Sequence, residues 1–131
     1  MNLEPELNLD YLAAKHAQEI VKSLSAEPKK TENSLTKTMG VLQENGVYAC
    51  FLYLLAREKD ASNVVIPQMR ALLKALGIEN DSQDNLKYAQ YLTADLHRLL
   101  LAKEALEQML IYARYGAKAA EKSAEKAGGA A

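Results

Sequence analysis

An uninterrupted run of ten apolar residues, 47–56, constrains the fold of this chain more than any other feature. A run of that length must be buried, yet it is about half of the roughly 20 residues that a bilayer-spanning helix needs. Asn45 and Gly46 precede the run and resemble the left-handed cap that ends one helix before the next begins. We therefore predict that residues 47–57 form the central helix of an all-α domain and that other helices surround it.

The length of the chain, 131 residues, suits one domain with a single core. Apolar residues recur at helical spacing in several segments, and no segment alternates as a strand would. The sequence therefore predicts a compact all-α bundle of about five or six helices. Residues 1–119 are assigned to this helical domain, and residues 120–131, rich in Ala, Lys and Glu, to a low-complexity tail that is expected to be flexible.

Breaks in the helical pattern indicate where the connections lie. Residues 25–33 are predicted to be an exposed connector, and the polar residues 58–63 a loop. Pro67 is expected in the first turn of the helix after that loop, where proline is tolerated.

The last helix is predicted to be the longest and to begin near Thr93 or Ala94. Its apolar residues recur in steps of three and four, which is typical of a packing seam. The residues expected to widen this seam are Leu96, Leu100 and Leu110.

Charge and cysteine content restrict the partners and the compartment. The 16 basic and 17 acidic residues nearly cancel, so a polyanion would have to meet a local basic patch. Cys50 is the only cysteine and lies in the apolar run, which excludes an internal disulfide and favours a buried thiol in a reducing, cytoplasmic setting. Acidic residues near the N-terminus argue against secretion and against membrane targeting.

The residues that usually carry catalysis are scarce. The chain has two histidines, His16 and His97, and it has no glycine-rich phosphate loop and no spacing typical of metal ligands. The carboxylate pairs Asp81/Asp84 and Glu104/Glu107 are interpreted as solvated surface. We therefore expect no catalytic residue, no metal and no cofactor, and so no enzyme. A small nuclease that uses His16 or these carboxylates is the alternative.

Basic residues along the last helix are the strongest candidates for a binding site. Arg114, Lys118, Lys122 and Lys126 follow one another at intervals of four, and Lys103 lies within about 20° of Arg114 around an ideal helix. A plain solvated face explains this row equally well, because cations near a helix C-terminus also favour the helix dipole.

Two tyrosines on the last helix are candidates for a partner contact. Tyr112 and Tyr115 are three residues apart, and tyrosine suits surfaces that are both apolar and partly wet. Most of the aromatic residues are expected to pack inside the domain.

Two segments carry a resemblance to a known family. In residues 34–57 a short helix runs into Asn45 and Gly46 and then into an apolar helix that ends in a basic residue. In residues 98–119 a basic residue is followed by Lys-Glu-Ala-Leu and later by Arg114 and Tyr115. In this order and spacing the chain resembles the small, all-helical subunit of the Cmr complex, the type III-B CRISPR effector. Small subunits of related CRISPR effectors are an alternative, because this chain has no tryptophan.

The resemblance implies a non-catalytic role in a ribonucleoprotein of antiviral defence. Copies of the subunit would stack in a minor filament, contact the large subunit and the backbone subunits, and help hold guide RNA and target RNA. A helical adaptor that binds only protein is the competing interpretation. The residues assigned to RNA phosphates are Arg98, Lys103, Arg114, Lys118, Lys15 and Lys22.

Overall fold

The computed structural model describes residues 8–129, and it describes side chains for residues 8–126. This part of the chain contains six α-helices and no strand, which confirms the predicted all-α bundle. Glu4, Glu6, Ala130 and Ala131 lie outside the described residues. The helices are α1 (Leu9–Ser23), α2 (Pro28–Asn45), α3 (Val47–Arg57), α4 (Lys59–Ala75), α5 (Asn85–Thr93) and α6 (Leu96–Gly129).

The long helix α6 occupies the centre of the bundle and contacts each of the other five helices. Its buried stripe combines large residues such as Leu106 and Met109 with alanines. Small side chains let neighbouring helices approach closely, while the large ones fill the space between them. Leu110 belongs to this buried stripe, as predicted, whereas Leu96 and Leu100 are 68% and 57% exposed and do not.

The apolar run forms α3, but other helices do not surround it on every side. Its buried face carries Val47, Cys50, Phe51 and Leu54, whereas Leu52 is 46% exposed. The prediction of complete burial was wrong because an unbroken apolar run has no period, so it cannot reveal which side stays uncovered.

Gly46 makes the sharp connection between α2 and α3. Its φ of 98° lies in the left-handed region, and its amide donates to the carbonyl oxygen of Leu42 at 3.1 Å. The predicted cap at Asn45 and Gly46 is therefore confirmed, because α2 ends at Asn45 and α3 begins one residue after Gly46.

Two predicted connectors are largely helical. The helix α2 begins at Pro28, in the middle of the predicted connector 25–33, and proline suits the first position of a helix. Only Glu58 separates α3 from α4, so the predicted loop 58–63 is wrong as well. Polar residues in a first helical turn have the same composition as a loop, which explains both errors.

Two further boundaries differ from the sequence prediction. Pro67 lies in the interior of α4 rather than in its first turn, and it is exposed. The helix α6 begins at Leu96, where Asp95 Oδ2 accepts a hydrogen bond from the Arg98 amide at 2.9 Å. At its other end α6 continues through Gly129, and the expected flexibility of the tail stays a prediction.

Candidate nucleic-acid interface

Lys103 and Arg114 lie on one side of α6. They are separated by about 16 Å along the axis and about 20° around it. Lys103 is half-buried beside Leu100 and Glu107, and the Arg114 guanidinium lies 5.4 Å from the ring centroid of Tyr115. Neither cation forms an ion pair with another described residue. Both charges are therefore available to an anionic partner.

Lys118 continues this row but is already neutralised by two carboxylates. Its Nζ lies 3.8 Å from Glu32 Oε2 on α2 and 3.9 Å from Glu121 Oε2 on α6. Both glutamate side chains are largely covered, with 19% and 13% exposure, which weakens screening of the pair by solvent. An RNA phosphate would therefore have to compete with Glu32 and Glu121 for this lysine.

Arg98 lies apart from this row and is bound within the chain. Its Nε donates to the carbonyl oxygen of Tyr91 at 2.8 Å, and its guanidinium lies 3.7 Å from the centroid of the Tyr91 ring. The position of Arg98 is about 140° around α6 from Lys103. Arg98 therefore joins α5 to α6 and does not share a face with Lys103 and Arg114.

Lys15 and Lys22 are exposed on α1, away from the basic row of α6. Lys22 lines a groove between α1 and α6 together with Tyr112 and Gly116. This groove lies on a different side of α6 from the basic row, because Tyr112 and Lys118 are about 120° apart around the helix. Lys118 pairs instead with Glu32 on α2. The structure thus divides the six assigned basic residues among three places rather than gathering them on one surface.

The two tyrosines assigned to a partner contact have different surroundings. The Tyr112 hydroxyl donates to Asp10 Oδ1 and accepts from Gln108 Nε2 at 2.9 Å, and the Asp10 hydrogen bond raises the pKa of Tyr112. Tyr112 therefore ties α6 to the start of α1. Tyr115 is 62% exposed and remains accessible to a partner.

An exposed apolar surface along α6 was missed by the sequence interpretation. We call it the α6 outer face, and its residues form two pairs spaced four apart, with eleven residues, about three helical turns, from the first pair to the second. The same spacing was assigned to the buried seam, because a helix with apolar residues on two sides gives no sign of which side is covered. The α6 outer face consists of the exposed residues Leu96, Leu100 and Tyr115 and of Ile111, which is partly buried against the core.

The residues considered for catalysis do not come together. His16 Nδ1 lies 2.7 Å from Gln68 Oε1 between α1 and α4, whereas His97 is exposed at the start of α6. Burial raises the pKa of the Cys50 thiol to about 12, which disfavours the nucleophilic thiolate. Within residues 8–129, no group of three or more His, Cys, Asp or Glu side chains is placed to hold a metal ion. No helix in that range is long and apolar enough to cross a membrane.

No protein-family model matches this chain, and searches of the curated proteins and of the solved structures give no match. The resemblance to the Cmr small subunit therefore rests on the residues quoted for it. Those residues occupy α2 and α3 in the first segment and α6 in the second.

Proposed function

We propose that this protein is a non-catalytic small subunit of a type III-B CRISPR ribonucleoprotein effector, the Cmr complex, acting in antiviral defence in the cytoplasm. Copies of the chain stack in a minor filament and contact the large subunit and the backbone subunits. The filament helps hold guide RNA and target RNA, while cleavage belongs to other subunits.

One observation carries the RNA contact in this proposal. Lys103 and Arg114 share one side of the central helix, and neither has a carboxylate partner among the described residues. Two unpaired cations about three helical turns apart can meet two phosphates of one strand. Such contacts position a protein on a nucleic acid without reading its bases, which is what a subunit that serves any guide sequence requires.

The other four assigned basic residues contribute to RNA binding less strongly or indirectly in this proposal. Lys118 contributes when a phosphate displaces Glu32 or Glu121, while Lys15 and Lys22 offer a second contact from α1. Arg98 acts chiefly by holding the junction of α5 and α6 in place, because its Nε and Nη2 already donate to the Tyr91 carbonyl.

A helical adaptor that binds only protein is the second candidate. The observation that favours it is the α6 outer face, where Leu96 and Leu100 are more than half exposed and Tyr115 is exposed about four helical turns further along. Exposed apolar side chains that cluster on one face often mark a protein interface. The small subunit of a related CRISPR effector remains a variant of the first proposal.

A binding assay with defined partners tests the proposal. The purified chain is titrated into fluorescent single-stranded RNA of about 40 nucleotides over a salt series, and the RNA is checked for cleavage. In parallel, the chain is mixed with the other Cmr subunits and guide RNA. We expect salt-sensitive binding without cleavage, together with incorporation into the complex. Binding to protein partners with no RNA affinity at low salt would favour the adaptor, and RNA cleavage by the isolated chain would refute both.

A further inference from the structure

The α6 outer face is symmetric about its own midpoint. Leu96 and Tyr115 are equally far from the point between residues 105 and 106, and so are Leu100 and Ile111. When two copies of one helix pack antiparallel across a twofold axis, each residue meets the residue equally far from the midpoint on the other side. Leu96 of one copy would therefore meet Tyr115 of the second copy, and Leu100 would meet Ile111.

The rows that these residues form also suit the commonest packing of two helices. Leu96 and Leu100 form one row of residues spaced by four, and Ile111 and Tyr115 form another. Such rows are inclined by about 26° to the helix axis, and two helices interlock them when their axes cross at about −50°. At that crossing angle the row of one copy lies in line with the opposite row of the other, so all four apolar contacts form together.

Charges at the midpoint are complementary under the same symmetry. A groove of about 350 Å³ lies there, lined by Lys103 and Glu107 among other residues. Neither of these two residues forms an ion pair within residues 8–126, and Glu107 Oε1 accepts a hydrogen bond from the neutral Gln43 Nε2 at 2.9 Å. In the twofold arrangement Lys103 of each copy lies beside Glu107 of the other, because these positions are nearly equidistant from the midpoint. Opposite charges placed in this way fix the partner and its orientation.

Glu104 does not oppose this arrangement, although it lines the same groove. Glu104 and Glu107 are about 60° apart around α6, so in the crossed pair they lie at opposite edges of the contact. Glu104 of one copy lies beside Gln108 of the other, which is uncharged. No two carboxylates therefore face each other across the axis.

We infer that the α6 outer face binds a second copy of this chain, with the two α6 helices packed antiparallel around a twofold axis at the groove. The contact is about 28 Å long and, at the roughly 10 Å width of a helix, covers on the order of 300 Å² per copy. Interfaces of that size form weak complexes, so pairing depends on concentration.

The inference goes beyond the proposed function. A twofold pair is closed and does not extend into a filament, so it is a state of the free protein. Pairing also occupies Lys103, which means that pairing and RNA binding exclude each other at this residue. The tests contain neither RNA nor Cmr subunits, and either proposal can therefore fail alone.

Sedimentation equilibrium of the full chain tests the inference. We expect the average mass to rise from 14.4 kDa towards twice that value as the concentration increases from about 0.01 mM to about 1 mM. Leu100→Glu places a charge in the contact and should weaken pairing by at least about tenfold. Leu52→Glu, at an exposed leucine of α3, is the matched control and should pair like the parent chain. A mass of 14.4 kDa at every concentration would overturn the inference and leave the face to another protein, and so would undiminished pairing of Leu100→Glu.

Charge exchange shows whether the ion pairs cross between copies. Lys103→Glu and Glu107→Lys each bring like charges together across the axis, so each variant alone should stay largely monomeric where the parent chain pairs. An equimolar mixture of the two variants should pair, because in the mixed dimer each position 103 meets the opposite charge at position 107. Circular dichroism checks that both variants keep the helicity of the parent chain. If they do and the mixture stays monomeric, the inference is wrong.

Engineered cysteines test the antiparallel orientation. Glu104→Cys should cross-link two copies on oxidation, because both copies of position 104 lie close to the axis. Leu96→Cys should not, since the two copies of position 96 are about 28 Å apart along the helices. The native Cys50 is buried and does not compete. Cross-linking at position 96 rather than at position 104 would indicate parallel helices and overturn the inference.

Discussion

The guanidinium of Arg98 covers the ring of Tyr91 at 3.7 Å and donates through Nε to the main-chain carbonyl of the same residue at 2.8 Å. A single side chain thereby closes the end of α5 and fixes the start of α6. Arginine is suited to this arrangement because its planar fork can stack on a ring and form hydrogen bonds at its edge together.

Replacing Arg98 should therefore reduce stability more than it reduces RNA binding. We expect Arg98→Lys to lower the free energy of unfolding by about 1–3 kcal/mol, because lysine keeps the charge but loses the stacked, forked geometry. Urea denaturation measures the loss, and His97→Ala at the exposed neighbouring position serves as the control. A stable Arg98→Gln variant whose RNA binding loses salt dependence would contradict this role.

Close contact between α1 and α6 depends on a glycine. A Cβ added at Gly116 would lie 2.9 Å from Val21 Cγ2. We expect Gly116→Ala to destabilise the fold by about 1–3 kcal/mol through overpacking, despite the better helix propensity of alanine. Thermal unfolding should show rescue when Val21→Ala is added.

Gly40 in α2 is the matched control for this prediction. No atom lies within 4 Å of a Cβ added there. Gly40→Ala should therefore stabilise the protein by about 0.5–1 kcal/mol, as alanine usually does in a helix. Equal effects of the two substitutions would show that contact with Val21 does not limit the packing of α1 on α6.

Alkaline pH should weaken the fold through Cys50. Burial raises the pKa of this thiol from 9.0 to about 12, so above pH 9 the unfolded chain releases a proton that the folded chain retains. Below pH 9 the thiol is protonated in both the folded and the unfolded chain, and no stability is lost. Between pH 9 and 12 the free energy of unfolding falls as the pH rises. We expect urea denaturation to show a smaller alkaline loss in Cys50→Ala than in the parent chain, with a remainder from Tyr88, whose pKa rises from 10.0 to about 12. An identical loss in both chains would contradict the prediction.

Removing a carboxylate partner should make Lys118 available to RNA. Glu32 lies 3.8 Å from its Nζ, so Glu32→Gln leaves the ammonium less neutralised. We expect this variant to bind single-stranded RNA more tightly by about two- to fivefold at low salt, the size of a partly screened charge interaction. Glu44→Gln, exposed on the same helix, removes the same charge and should have a smaller effect. Equal gains would indicate that only net charge matters.

Helical periodicity made much of the fold predictable. The packing seam of α6 and the α2–α3 junction at Gly46 follow from local spacing and from the backbone freedom of glycine. The first residues of α2 and α4 could not be predicted from local spacing, because a polar first helical turn resembles a loop until its tertiary contacts are known. The exposure of Leu52, Leu96 and Leu100 also required the structure, since a residue's hydrophobicity does not say which neighbour covers it.

The candidate interface was less predictable than the fold. Sequence spacing alone placed Lys103 and Arg114 on one side of the last helix. It could not reveal that Arg98 is bound to Tyr91, because that contact depends on the turn between α5 and α6. The ion pairs of Lys118 depend in the same way on how α2 packs against α6.

The salt dependence of RNA binding in a charge-removal variant tests the central claim most directly. Lys103→Gln/Arg114→Gln is compared with Lys29→Gln/Lys37→Gln, which removes two exposed charges from α2, after circular dichroism has confirmed equal helicity. We predict that the first variant binds RNA more weakly and that its slope of log affinity against log salt is shallower by about 1.4, the value for two lost contacts to a single strand. The α2 variant should keep the parent slope. Equal slopes in the two variants and the parent would contradict the proposal that these two residues hold RNA.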